Sequence, residues 1–215
     1  MNPQDALNRR ALVEDFQRRH HTRLVTMLFS DIVGSTRLKQ TLGDDGALDA
    51  IRRHHALFRK TLSQFDEGEE ISTAGDSFFV VFAKQSDAVK FSLLLQSGVR
   101  RLSEESGRPV FDRIGIHVGE VWLDETIVPG KSRDLYGIQV DTCARVSSLG
   151  TADQILLTRF AFDSARQVLK GKDFENITLL TWLNHGPYLM NGIEEALEVC
   201  EVGENAKARH HLVCG

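Results

Sequence analysis

Residues 24–30, LVTMLFS, are almost continuously apolar, the pattern of a buried strand. A small, hydroxyl-rich turn through Gly34, Ser35 and Thr36 follows. It leads to a short helix over 36–42 and a longer one over 45–64, whose stripe is Leu48, Ile51, His55, Phe58 and Leu62. In EEISTAGDSFFVVFA, two apolar runs flank Ala74-Gly75-Asp76-Ser77 and predict a β-hairpin with a Gly-Asp tip. Residues 86–104 predict a helix with Ser86 as its cap and Ala88, Val89, Phe91, Leu93, Leu94 and Leu95 on its apolar face. FDRIGIHVGEVWLD reads as a strand broken at Gly119, followed by a loop, TIVPGKSRD. A helix within 135–149, a strand QILLT and a helix over 159–169 come next. Strand-like ITLLTWL and LEVCEV close the pattern, joined by a turn-rich HGPYLMNGIEE. Ahead of it all, residues 5–22 place Ala6, Leu7, Ala11, Leu12 and Phe16 near helical spacing among arginines. That segment reads as a solvated basic helix, or as an amphipathic one packed on the domain or coupled to a partner.

The first elements match a ferredoxin-like βαββαβ core, in an α+β fold with additional C-terminal α and β elements. That motif alone carries no chemistry. The 215 residues suffice for one sizeable domain and a short extension. The net charge of −4 gives no electrostatic push toward nucleic acid. No apolar run approaches the roughly 20 residues that span a bilayer, and MNPQDALNRRALVEDF lacks the apolar core of a signal peptide. Cys143, Cys200 and Cys214 have no metal-binding spacing and read as free thiols, which places the chain in the cytoplasm.

Two carboxylates change the picture. Asp31 follows the first strand and Asp76 sits at the hairpin tip. In a ferredoxin-like sheet those elements are central neighbours, so the two carboxylates meet at one sheet end. Such a pair suits a hard divalent cation, Mg²⁺ or Mn²⁺, held together with substrate phosphates. Two such ions activate a hydroxyl and neutralise a pyrophosphate leaving group. Ile32, Val33, Gly34, Ser35 and Thr36 open a helix whose N–H groups form an anion site beside them. Taken singly, Asp31 reads equally well as a helix cap and Asp76 as a turn residue.

The motifs FSDIVGST, STAGDSFFVVF, RIGIHVGEV and DLYGIQVDTCARVSSL together resemble the catalytic domain of the class III nucleotidyl (adenylate/guanylate) cyclases. The resemblance runs over 23–202, leaving 1–22 as an N-terminal helical extension and 203–215 as a polar tail. It implies cyclisation of a nucleoside triphosphate to a 3′,5′-cyclic monophosphate with release of pyrophosphate. It also implies two metal ions on Asp31 and Asp76, with Ile32 among the ligands, and a head-to-tail homodimer with composite sites at the interface. DTCAR aligns with the family's Asn-x-x-x-Arg, which gives Arg145 the transition-state role and puts Asp141 in the place of the Asn. Four residues apart on a helix, the two share a face. Asp134 matches the family's base-contacting Asp. Residues 126–133 resemble its dimerisation arm.

The chain departs from the family pattern at the base. Ser72 stands where adenylate cyclases carry Lys, Asp141 replaces Asn, and Asn191 stands where many bacterial relatives have Lys, with Lys131 as an unproven substitute. ATP is the favoured substrate, because Asp134 accepts from the adenine amino group. The alternatives are another base, GTP or a pyrimidine triphosphate, and a degenerate nucleotide-binding regulatory domain. A polymerase-like palm shares the paired carboxylates, but the acidic balance argues against it. The pairs His20-His21, His54-His55 and His210-His211 read as surface or half-buried, His185 as a turn residue, and Trp122 and Phe111 as core or dimer-interface candidates. His117 is a candidate for lining the cleft, where Gly119 lets another backbone approach. Cys143 reads as a buried structural thiol or a redox-sensitive one.

Overall fold

Eight strands and four helices make up the described part of the computed structural model, residues 22–124, 134–172, 177 and 179–204. The strands are β1 (Thr22–Ile32), β2 (Gly68–Ala74), β3 (Ser77–Phe82), β4 (Asp112–Asp124), β5 (Asp134–Tyr136), β6 (Gln154–Thr158), β7 (Leu180–Tyr188) and β8 (Leu197–Glu204). The helices are α1 (Ser35–Leu62), α2 (Gln85–Ser106), α3 (Ile138–Leu149) and α4 (Arg159–Leu169). The sheet order is β2-β3-β1-β4-β6-β8-β7, with β5 paired to β4. The run β2-β3-β1-β4 is the ferredoxin-like core, and β6, β8 and β7 extend it. The expected α+β architecture is therefore present.

Helices α1, α2 and α4 share one face of the sheet, over a core that includes Leu28, Phe58, Phe78, Phe82, Phe91, Ile114, Ile116 and Phe162. Phe58 and Phe78 stack at 3.7 Å between ring centroids. Helix α3 lies alone on the opposite face, over Met27, Phe79, Val121 and Leu156. The two helices expected over 36–64 form one element broken at Gly43 (φ 69°).

Several local expectations are corrected. The buried stripe of α1 is Ala47, Ala50, His54, Phe58, Thr61 and Leu62, and Leu48 is exposed. The stripe is rotated because His54 turns inward to meet a buried carboxylate. Lys84, with extended backbone, occupies the N-cap position of α2, and Ser86 is buried inside the helix. The NHGPY segment is strand rather than turn. Its signal marks a bulge between Asn184 and Gly186, where the Asn184 side chain accepts from the Gly186 N–H. Pro187 is tolerated because β7 is an edge strand. β4 runs unbroken through Gly119.

Gly115, His117 and Gly119 alternate onto the face of β4 that α3 covers. A Cβ at Gly115 would stand 2.2 Å from the Ser147 backbone nitrogen, and one at Gly119 would stand 2.6 Å from the Gln139 Cβ. The two glycines therefore let the α3 backbone rest directly on the strand. Gly115→Ala is expected to cost about 2–3 kcal/mol by overpacking, read as a fall in the urea midpoint. An unchanged midpoint would mean that α3 does not pack on β4 this closely.

Candidate active site

Asp31 is the penultimate residue of β1, one position inside the strand rather than beyond its end. The register sets it opposite Arg113 of β4. Continuing the pairing of Ser30 with Phe78 brings it against Ser77 of β3. Ser77 Oγ donates to Asp31 Oδ1 at 2.8 Å. Arg113 donates to Asp31 Oδ2 through Nη2 at 2.8 Å and through Nε at 3.2 Å. Asp76 precedes Ser77 in a two-residue turn whose first position, Gly75, has φ 63°. The two carboxylates predicted to converge on one sheet end do so.

Asp76 Oδ2 is buried without a hydrogen-bond partner. A buried carboxylate oxygen with no partner is costly, and it fits a hard divalent cation. Among the described residues no group of three or more His, Cys, Asp or Glu could hold a metal. A two-carboxylate set matches a cation that keeps water and phosphate ligands, as Mg²⁺ does. The helix-cap alternative for Asp31 is overturned, since Gly34 (φ 74°) occupies the N-cap position of α1. The Ile32 side chain is buried in the core, so only its backbone carbonyl is available to a metal. The Val33 N–H donates to the Phe111 carbonyl at 2.9 Å. Ile32 and Val33 thus belong to the strand end, and the first-turn N–H groups left for an anion begin at Gly34, Ser35 and Thr36.

Helix α3 carries the second set. Asp141 is exposed and Arg145 half-buried, while Thr142, Cys143, Val146 and Ser147 turn inward. The predicted shared face is present. A Cβ on Gly192 would lie 3.0 Å from Arg145 Nη2. The arginine therefore leans on the β7–β8 connection, next to exposed Asn191. Ser72 is exposed directly after a bulge in β2. Asp134 opens β5. Lys131, residues 126–133, Cys214, the tail beyond Glu204, His210-His211 and the segment before Thr22 with His20-His21 lie outside the described residues.

His117 does not line an open cleft. It is buried beneath α3, where Nε2–H donates to Gln139 Oε1 at 2.6 Å and Nδ1 accepts from the Thr158 hydroxyl at 2.8 Å. Burial holds its pKa below the ordinary value despite the Gln139 bond, which keeps the ring neutral. Cys143 donates to the Met27 carbonyl at 3.3 Å. Burial pushes its thiol up to about 12, which removes the redox reading. Trp122 is exposed rather than part of the core.

Sequence reasoning missed three features. Arg113 becomes visible only once β1 and β4 are laid antiparallel in register. His54 is fully buried against Asp112, not half-exposed. His185, expected in a turn, is likewise in β7 and bonded to buried Glu201 at 2.8 Å. Neither histidine pairing has a local sequence signal, because the partners are far apart along the chain.

The described residues thus form a ferredoxin-like α+β domain with two carboxylates at one sheet end and an arginine-bearing helix on the other face of the sheet. The chain matches the adenylate and guanylate cyclase catalytic domain over residues 18–191, and it belongs to that family. It is 26% identical over 216 residues to receptor-type adenylate cyclase GRESAG 4.3 of Trypanosoma brucei brucei, covering 83% of this chain and 17% of that protein. It is 25% identical over 162 residues to retinal guanylyl cyclase 2 of Rattus norvegicus, covering 71% and 14%. It thus spans a small part of each of these relatives. Among solved structures, the adenylyl cyclase CyaB from P. aeruginosa has the same fold, with TM-score 0.73 at 17% identity over 87% of this chain and 99% of that one. No helix among the described residues is long and apolar enough to cross a membrane.

Proposed function

We propose that the chain is an active nucleotidyl cyclase. It converts ATP to the 3′,5′-cyclic monophosphate and pyrophosphate, and so makes a second messenger in the cytoplasm. The observation that carries the reading is the built carboxylate pair, with Asp76 Oδ2 buried and unpartnered beside Asp31. Asp31, Asp76 and the Ile32 carbonyl would hold two divalent cations, Mg²⁺ or Mn²⁺, which when bound would supply positive charge for the attacking 3′-oxygen and the leaving pyrophosphate.

The remaining work falls to protein groups. Gly34, Ser35 and Thr36 offer backbone N–H donors to the phosphates. Arg145 binds phosphate oxygens as charge builds on them, and a guanidinium suits this because it stays charged and binds two oxygens at once. Asp141 accepts from a ribose hydroxyl, and Asp134 accepts from the adenine amino group while Ser72 reaches a base edge. Arg113 stands on Asp31, close enough to move to a phosphate once the carboxylate has another cation. The catalytic unit covers 23–202, flanked by 1–22 and 203–215.

One chain does not bring both sets to one substrate. Gln139, two residues before Asp141, sits on Gly119, six residues along β4 from Arg113 or roughly 20 Å at strand rise, whereas Arg145 lies nearer, three residues before Ser148, whose carbonyl accepts from Arg113 Nη1 at 3.3 Å. Arg145 leans toward the β7–β8 connection, and β8 lies three strand spacings from β1, about 14 Å. A head-to-tail homodimer resolves this, with Asp31 and Asp76 of one protomer facing Asp141 and Arg145 of its partner.

A second reading, a cyclase for another base, is favoured by exposed Ser72 in place of a lysine. Incubating the purified protein with each of the four triphosphates and Mn²⁺ or Mg²⁺, followed by mass spectrometry, separates the readings. Cyclic AMP as the main product is expected. Another cyclic nucleotide would reassign the base. No product from any triphosphate, with the dimer verified, would make this a regulatory domain.

A further inference from the structure

Behind the carboxylate pair lies a second charged cluster. His54 has no exposed surface and Asp112 only 1%. His54 Nε2 lies 2.9 Å from each Asp112 carboxylate oxygen and donates to Oδ2, while Oδ1 is buried without a hydrogen-bond partner. Ser30, the residue before Asp31, donates its hydroxyl to Asp112 Oδ2 at 3.2 Å. The Phe78 ring, two residues beyond Asp76, lies 6.0 Å from the His54 ring, and Phe58, stacked on Phe78, lies on the same side at 6.3 Å.

The two nitrogens of His54 are unequal. Nε2 has Asp112, whereas Nδ1 is buried without a hydrogen-bond partner. A proton on Nδ1 therefore faces no acceptor, and only the surrounding field retains it. Asp112 on β4, Asp31 on β1 and Asp76 in the β2–β3 turn attract that proton. His55 on the same helix and Arg113 beside Asp31 work against it, and the Arg59–Glu70 ion pair next to His55 is self-compensated. Burial alone lowers the pKa of His54, but Asp112, then Asp76 and Asp31, outweigh it and leave the group above its ordinary value.

We propose that His54 is a positioning residue for the metal pocket, an internal cation that balances Asp31 and Asp76 and releases its Nδ1 proton to solvent when divalent cations load there. The inference rests on Asp31 and Asp76 being the metal ligands. The balance is simple. A divalent cation joins the carboxylates, one proton leaves Nδ1 for the buffer, and Nε2–H stays on Asp112. Since the proton is bound below the raised folded pKa and lost above it, metal and proton compete. Apparent Mg²⁺ affinity therefore rises with pH, by at most about tenfold per pH unit, and levels off once the pH passes the raised folded pKa, which lies above the ordinary histidine value of about 6.5.

Calorimetric titration of the full chain with Mg²⁺, in buffers of different ionisation enthalpy, counts the protons released. Ring ¹⁵N NMR of His54 reads its charge directly. Up to one proton per site is expected, with the Nδ1 signal moving from the imidazolium to the imidazole range. His54→Gln should bind Mg²⁺ without this release and with little dependence on pH. Where that variant does not fold, the wild-type proton count and ring signal decide. Mg²⁺ binding without proton release, or equal release from folded His54→Gln, would overturn the inference and leave the metal ligands standing. No Mg²⁺ binding at any pH would overturn both.

Discussion

Asp76→Asn is expected to lower turnover by roughly a thousandfold or more while the protein keeps its fold. The two halves of this outcome come from one atom. Asp76 Oδ2 is buried with no donor to satisfy it, so in the metal-free protein the charge costs stability. An amide of the same shape removes the charge but still leaves a polar atom without a partner, so the folded state should keep its stability or gain slightly. Turnover moves the other way. A metal position supplies several kcal/mol of charge stabilisation in the transition state, and about 4 kcal/mol corresponds to a thousandfold in rate. The urea midpoint and kcat with Mn²⁺ and Mg²⁺, measured on the same preparation, test both halves. Unchanged kcat would remove Asp76 from the metal site. A loss of activity together with a loss of stability would show that Asp76 holds the hairpin rather than a cation.

Why was the carboxylate pair legible in the sequence when its surroundings were not? Asp31 and Asp76 are each marked locally, one by a charge at the end of an apolar run and the other by a Gly-Asp tip between two strands. The order of the elements fixes which strands are neighbours, so topology joins the two marks. Arg113 has no such mark. It is an ordinary arginine at the start of a strand until the register sets it opposite Asp31. His54 and Asp112 are 58 residues apart, and each alone looks like a surface residue. Helical periodicity failed by about one position in α1 for the same reason, because a histidine with a buried partner behaves as a core residue. At His185, turn-forming residues marked a bulge inside an edge strand. Local chemistry was read correctly there and its structural context was not. The glycines of GIHVG show the converse case. A break was expected at Gly119, but what the missing side chains provide is room for a helix.

An equimolar mixture of Asp31→Ala and Arg145→Ala protein is expected to recover about a quarter of wild-type activity, although each variant alone is nearly inactive. Arg145→Ala alone should lose about 10²–10³ in kcat, the usual effect of removing one charge-stabilising donor. Asp31→Ala loses a metal ligand and leaves Arg113 without its carboxylate. Neither deficit can be repaired within a chain. Recovery is expected from the lean of Arg145 toward the β7–β8 connection, since β8 lies about 14 Å across the sheet from the strand that carries Asp31. In a two-fold dimer with shared sites, a mixed pair places both lesions in one site and leaves the other whole. Random exchange makes half of the dimers mixed, and each keeps one working site of two, which gives about a quarter. Mass spectrometry of the intact dimers must show that subunits have exchanged. With exchange shown, activity no higher than that of the separate variants would mean that Asp31 and Arg145 act within one chain, and that the lean of Arg145 toward Gly192 reverses when substrate binds.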